Sequence, residues 1–196
     1  MENRLKLAQD EFDDYYNEIN KYGNGQVMSF KDYILEDIEI PEKAELFDCT
    51  FNYCHFKNIN FKNASLYDAY FRDCTFENCN FENANIRDIS FEDCTFENTK
   101  FPYSEVFDEN LIYKVAEEIF LQPYKFDMGW WHCENEGCEA THCIAGWAVR
   151  LSPIGKEVEE KYGPPTAGLL LLGYDAYTHF YDNNREALKY LSQFKK

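Results

Sequence analysis

Five side chains that could bind a metal fall close together in the stretch WHCENEGCEATHCIAGW, residues 131–147. They are two histidines and three cysteines: His132, Cys133, Cys138, His142 and Cys143. Structural zinc takes four nitrogen or sulfur ligands, typically in pairs separated by two to four residues. The three cysteines are separated by four residues each, at the edge of that range, and either histidine could be the fourth ligand. Zinc binding is therefore one hypothesis for this cluster, although the common Cys-x-x-Cys pairs are missing.

A second interpretation places Cys143, Trp147 and Leu151 on the buried side of a helix, with the histidines bonded to loop backbone. Catalysis fits the same residues poorly, because a cysteine nucleophile must lie within hydrogen-bond reach of its base. His142 and Cys143 are adjacent and would point apart on a helix. The sequence also has no glycine-rich phosphate loop and no nucleophile elbow. We therefore expect no enzymatic activity, and no cofactor unless the cluster holds zinc.

The 196-residue chain carries a formal net charge of −17, and acids are in excess in each part of it. Residues 1–43 have 11 acids against 5 bases, residues 44–104 have 10 against 5, and residues 105–196 have 15 against 9. Such a chain should repel nucleic acid, so we expect no direct nucleic-acid binding. A protein partner with a basic surface is expected instead, unless the acids serve only to keep the chain soluble.

The sequence predicts neither a membrane span nor a secretory signal. No apolar stretch approaches the ~18 residues that a span requires, and the N-terminal stretch lacks an apolar core. Five of the eight cysteines fall at regular positions of a repeat rather than in the pattern of a disulfide scaffold. We therefore expect a cytoplasmic protein with reduced thiols.

An apolar residue recurs at every fifth position, a period that suits neither a helix nor a strand. These central residues are Leu46, Phe51, Phe56, Phe61, Leu66, Phe71, Phe76, Phe81, Ile86, Phe91, Phe96 and Phe101. A small or compact residue stands two positions before each, and Asn or Asp stands two positions after most of them. Cysteines at the small position are expected in the core: Cys49, Cys54, Cys74, Cys79 and Cys94.

This pattern resembles the pentapeptide-repeat family, whose units read small residue, polar residue, Leu or Phe, and then two polar residues. The resemblance implies a right-handed quadrilateral β-helix, with one pentapeptide on each side and four in each coil. Residues 20 positions apart should then stack. The sequence supports this period, because the central residues other than Phe are Leu46, Leu66 and Ile86. The repeats are sufficient for about three coils.

The expected fold class is a β-helix plus α-helices. We predict an N-terminal helical cap over residues 1–43, the β-helix over residues 44–104 and a helical domain over residues 105–196. Within the last domain we expect a helix capped by Asp108, one from Thr141 to Leu151, one after Pro165 and one from Asn183 to about Phe194. This domain resembles small uncharacterised bacterial and phage proteins. It could pack on the last coil, form a homodimer, or both.

The family resemblance implies a non-enzymatic protein-interaction module. Four acids beside central residues are expected on the outside, where they could contact the basic partner: Glu77, Asp88, Asp93 and Glu97. One alternative is a DNA mimic. Quinolone-resistance proteins of this family protect DNA gyrase with a long acidic rod, and a phage anti-defence inhibitor would be a more general form. The other alternative is zinc binding through residues 132–143.

Overall fold

The computed structural model describes residues 5–22, 28–104, 107–133 and 141–195. The chain divides into two compact units, residues 1–104 and residues 105–196. Within the described ranges, no helix combines the length and the apolar character needed to cross a membrane.

The first unit is a parallel β-helix built from very short strands. Their bounds are β1 (Leu5–Lys6), β2 (Ser29–Lys31), β3 (Tyr33–Glu36), β4 (Thr50–Asn52), β5 (His55–Lys57), β6 (Tyr70–Arg72), β7 (Thr75–Glu77), β8 (Ser90–Glu92) and β9 (Thr95–Glu97). One side stacks them in the order β1–β3–β5–β7–β9, and a second side in the order β2–β4–β6–β8. Single parallel bridges, such as Ser65 with Asn85 and Asn60 with Asn80, form the other two sides.

The predicted 20-residue register is confirmed. Phe51 pairs with Phe71, and Phe71 pairs with Phe91 on the same side. Phe56, Phe76 and Phe96 align in the same way on the next side. About three coils result, and we number them as residues 44–63, 64–83 and 84–103.

The central residues form an aromatic core. Phe56 and Phe76 stack in parallel with their ring centroids 4.8 Å apart, and Phe51 and Phe71 lie 4.9 Å apart. These distances match the ~4.8 Å spacing of stacked strands. Rings from neighbouring columns meet edge to face, as Phe71 and Phe76 do at 67°, which is a favoured aromatic geometry. The five-residue period thus places one ring on each side of each coil.

The corners explain the Asn and Asp residues of the repeat. Of the fifteen described residues other than glycine with positive φ, twelve are Asn or Asp, at φ values between 49° and 62°. This left-handed conformation is costly for most residues but is tolerated by Asn and Asp. Stacked corners also bond to each other, since Asn78 Nδ2 donates to Asn58 Oδ1 at 3.1 Å.

The segment 1–43, predicted as a helical cap, contains helix α1 (Gln9–Tyr22) and also strands that extend the β-helix. Phe30 of β2 stacks on Phe51 at 5.3 Å. Phe12 of α1 is buried and lies 6.4 Å from Phe30, so the helix covers this end of the aromatic core.

One inserted residue separates the repeat pattern of these extra strands from that of the three coils. Phe30 and Leu35 are buried like central residues, and each is followed two positions later by an aspartate with positive φ. From Asp37 to the next corner, Lys43, the spacing is six residues rather than five. A search for an unbroken period of five therefore ends at residue 44.

The cysteines of the β-helix lie in its interior, as predicted. On one side, the thiol of Cys74 donates to the carbonyl of Phe51 at 3.4 Å, and that of Cys94 donates to Phe71 at 3.5 Å. Thr99 Oγ1 makes the equivalent bond to Phe76 at 3.4 Å. A hydroxyl is therefore accepted at this position of the repeat. Burial raises the pKa of Cys79 to about 11, so this thiol stays protonated.

We expect Cys54→Ser to reduce the stability of the β-helix only slightly. The thiol of Cys54 donates to the carbonyl of Phe30 at 3.7 Å, and the serine hydroxyl is nearly isosteric and can make the same bond. The free energy of unfolding should fall by no more than about 1–2 kcal/mol, as measured by urea denaturation. A loss of more than about 4 kcal/mol would be exceptional for a tolerated substitution and would show that the position does not accept a hydroxyl.

The second unit is mainly helical. Its α-helices are α2 (Leu111–Leu121), α3 (Ile144–Leu151), α4 (Gly155–Tyr162), α5 (Pro164–Tyr177) and α6 (Asn184–Leu191). A short antiparallel pair joins β10 (His132–Cys133) to β11 (Thr141–His142). Helix α3 packs against α2, α4 and α5 and is buried along most of its length.

The predicted helices of this unit are present, with changes at their starts. The helix expected from Thr141 begins at Ile144, because Thr141 and His142 pair with β10 instead. Helix α2 begins at Leu111, and its N-cap is Asn110 rather than the predicted Asp108, whose Oδ1 accepts from the Asn110 N–H. Helix α4 was not predicted.

The last helix begins at the predicted residue, because Asn183 is its N-cap. Asn183 Oδ1 accepts from the N–H groups of Arg185 and Glu186, at 3.0 and 3.1 Å. The side-chain Nδ2 of Asn183 also donates to Glu186 Oε2 at 2.8 Å. Helix α6 therefore begins where the sequence indicates, and a 3₁₀ turn follows it as far as Phe194.

Candidate functional site

The four acids predicted to form an interaction surface do not all lie together. Glu77 in β7 and Glu97 in β9 are register partners on one side of the β-helix. Asp93 occupies the corner between β8 and β9, with φ of 50°. Asp88 occupies the preceding corner, before β8, with φ of 54°. The first three therefore share one side and its corner, whereas Asp88 lies apart from them.

These acids also differ in how far their charge is neutralised. Lys57 Nζ lies 3.3 Å from Glu77 Oε1, and Arg87 Nε lies 3.3 Å from Asp88 Oδ2. Asp93 and Glu97 are both exposed, and neither has a cation within ion-pair distance among the described residues. Uncompensated negative charge is thus found at these two residues of the third coil.

The pairing of Glu77 follows from the 20-residue stacking, whereas Asp88 is paired with its sequence neighbour Arg87. A base in one coil lies beneath an acid in the next, as in Lys57 with Glu77 and Lys62 with Glu82. The hydrogen bond from Lys62 and its charge lower the pKa of Glu82. Glu97 stacks on Glu77 rather than on a base. Comparing charges 20 positions apart in the sequence would have distinguished Glu97 from Glu77.

Such exposed ion pairs add little to stability, typically about 0–1 kcal/mol each. Their effect here is on the surface potential, because a paired acid presents less net charge to a partner. We name Asp93 and Glu97 the third-coil acidic edge.

Part of the candidate metal cluster lies in the β10–β11 pair of the second unit. His132 is the register partner of His142, and Cys133 is the register partner of Thr141. Cys138 lies outside the described residues.

Cys143 serves as the N-cap of α3. Its Sγ accepts from the Gly146 N–H at 3.4 Å, which explains why the helix begins directly after it. Burial raises the pKa of the Cys143 thiol to about 11, so the protonated form is favoured in the absence of a metal. Trp147 is also buried. The burial that the helix-face interpretation predicts is therefore confirmed for Cys143 and Trp147, but Cys143 precedes the helix and Leu151 is only half-buried.

His142 lies beside these residues in the interior. It is 2% exposed, and its ring centroid is 5.4 Å from that of Trp147. No group of three or more His, Cys, Asp or Glu residues suited to holding a metal occurs in the described part of the chain. Zinc binding stays a prediction, because it depends also on Cys138.

Residues 44–108 match the protein-family model described as "Pentapeptide repeat region". No curated protein matches the chain. The matched segment covers the three coils whose register, core and corners are described above. The family match and the parallel β-helix together show that residues 44–108 form a pentapeptide-repeat region.

Proposed function

We propose that the protein is a non-enzymatic interaction module whose third-coil acidic edge binds a basic surface of a protein partner. The observation that carries this proposal is the exposure of Asp93 and Glu97 without a cation partner among the described residues. The neighbouring acids Glu77 and Asp88 are paired by contrast. The edge is therefore the part of the predicted surface where a partner's cations would meet uncompensated charge.

The β-helix holds this edge in a fixed position. Glu97 belongs to β9, whose Phe96 stacks on Phe76 at 4.9 Å. Asp93 lies at a corner, directly before the buried Cys94. Acids fixed in this way lose little backbone freedom on binding, and preorganisation of this kind favours affinity.

Contacts between exposed charges should have a recognisable salt dependence. They accelerate association and weaken as salt is added, because exposed charges are screened over roughly 8–10 Å at physiological ionic strength. A partner bound mainly through apolar contacts would not show this behaviour.

Affinity capture followed by mass spectrometry tests the proposal when it is run with two matched double variants. Asp93→Asn with Glu97→Gln removes the edge. Glu45→Gln with Asp48→Asn removes the same two kinds of charge from exposed positions of the first coil. A partner captured by the parent protein and by the first-coil variant, but not by the edge variant, is the expected result. A partner captured equally by all three would contradict the proposal.

The ion pairs on the β-helix favour a localised contact over broad DNA mimicry, because they neutralise part of its acidic surface. Each strand of B-DNA carries one charge per ~3.4 Å, whereas side chains in one column of a β-helix recur only every ~4.8 Å. Lys57, Glu77 and Glu97 lie in one column, and Glu77 is paired with Lys57. Mimicry of a nucleic acid stays a prediction.

A further inference from the structure

A cavity of about 390 Å³ lies in the second unit, between α2, the turn that follows it, β11 and α3. Its lining includes Glu118, Gln122, Lys125, His142, Trp147 and Arg150. A neighbouring cavity of about 650 Å³ shares His142 and Arg150 with it. Small-molecule sites usually have volumes of about 300–1,000 Å³, so the first cavity is large enough for a small ligand.

Two cations of this cavity have no carboxylate partner in the described part of the chain. Lys125 and Arg150 form no ion pair among the described residues, although the chain has 36 acids and only 19 bases. Two other lysines of the same unit are paired, Lys114 with Asp108 at 3.0 Å and Lys156 with Glu160 at 3.9 Å. Two unpaired cations that line one cavity favour an anion in it.

An unsatisfied donor lies in the same wall. Trp147 is 3% exposed, and its Nε1 has no hydrogen-bond acceptor in the described part of the chain. The Arg150 guanidinium carbon lies 6.0 Å from the centre of the Trp147 ring. Buried donors without a partner are uncommon in native proteins and require an explanation, such as an acceptor supplied by a bound molecule.

The carboxylate in the lining already has a partner. Glu118 Oε2 accepts from Gln122 Nε2 at 2.8 Å, and both residues belong to the α2 side of the cavity. Its negative charge should weaken the binding of any anion there. Replacing Glu118 is therefore expected to strengthen such binding rather than abolish it.

We propose that this cavity binds a small oxyanion, either a phosphate group or a carboxylate. The Arg150 guanidinium offers paired donors that match the geometry of both groups, whereas Lys125 acts as a compact charge. Trp147 contributes an N–H, and the neighbouring cavity gives room for the remainder of a larger ligand. The proposal is independent of the acidic edge, which lies in the first unit.

Indole N–H signals in ¹H–¹⁵N NMR spectra test this site directly. The chain has 3 tryptophans, and Trp147→Phe identifies the Trp147 signal. The protein is titrated with inorganic phosphate and, separately, with acetate, at constant ionic strength set with sodium chloride. A saturable shift of the Trp147 signal is expected with at least one of them. A shift with phosphate but not with acetate indicates a phosphate ligand. A shift with acetate but not with phosphate indicates a carboxylate ligand.

Charge variants complete the test. Arg150→Gln and Lys125→Gln should each raise the dissociation constant by about tenfold or more, as expected for loss of a charge-assisted hydrogen bond. Glu118→Gln should lower the dissociation constant several-fold. Lys189→Gln is the control, because Lys189 does not line the cavity, and it should leave the dissociation constant unchanged. Lys125→Gln tests the site separately if Arg150→Gln fails to fold. The proposal is wrong if neither anion gives a saturable shift, or if the shift persists unchanged in the cation variants.

Discussion

Phe76→Glu should prevent folding of the β-helix, because it places a carboxylate in the middle of the aromatic core. Phe76 is 1% exposed, and its ring stacks on Phe56 at 4.8 Å and on Phe96 at 4.9 Å. Apolar rings surround this position and cannot pair with a charge. Whether the carboxyl group stays ionised or becomes protonated, its burial cost adds to the loss of the stacked ring, and the total is comparable with the roughly 5–15 kcal/mol by which a typical domain is stable.

Circular dichroism and thermal unfolding of Phe76→Glu measure this effect. Thr95→Glu is the matched control, since it places the same side chain at an exposed position of the next coil. The control should keep the cooperative transition of the parent protein, and Phe76→Glu should lose it. Equal thermal stability of Phe76→Glu and Cys54→Ser would show that the β-helix assignment is wrong.

Gly155→Ala should strongly destabilise the second unit. A Cβ atom on Gly155 would lie 2.0 Å from the carbonyl oxygen of Val149, which belongs to the backbone of α3. A main-chain group in a packed helix cannot turn aside as the end of a side chain can, so α3 or α4 must shift. Overpacking costs typically 1–3 kcal/mol and occasionally more, and we expect the upper part of this range.

Gly129→Ala is the control for this substitution. Its added Cβ would have the Asp127 carboxylate as its nearest neighbour, at 3.3 Å, and a side chain can adjust. Denaturant unfolding should therefore show a large loss for Gly155→Ala and a small one for Gly129→Ala. If the two variants are equally stable, the close packing of α4 against α3 is wrong.

The β-helix could be predicted in detail because its contacts are periodic in sequence. Leu46, Leu66 and Ile86 revealed the 20-residue coil, and the observed register reproduces it. The strands that contain Phe30 and Leu35 were missed, because the six-residue step between Asp37 and Lys43 interrupts the period. One inserted residue is tolerated at a corner but removes the sequence signal.

The second unit was less predictable because its contacts are not periodic. The pairing of β10 with β11 overrides the helical pattern around His142 and delays α3 to Ile144. Lys125 and Arg150 are 25 positions apart and line one cavity only after α2 and α3 pack together. No spacing rule connects two such residues in the sequence. The acidic edge is predictable in part, since stacking at 20 residues pairs Glu77 with Lys57 and places Glu97 on an acid.

The dissociation constant of a captured partner, measured for the two double variants at low salt, tests the proposed function most directly. We predict that Asp93→Asn with Glu97→Gln raises it by about tenfold or more, while Glu45→Gln with Asp48→Asn changes it by less than about twofold. Added salt should reduce this difference because it screens the exposed charges. Equal dissociation constants for the two variants would contradict the assignment of the third-coil acidic edge as the contact surface.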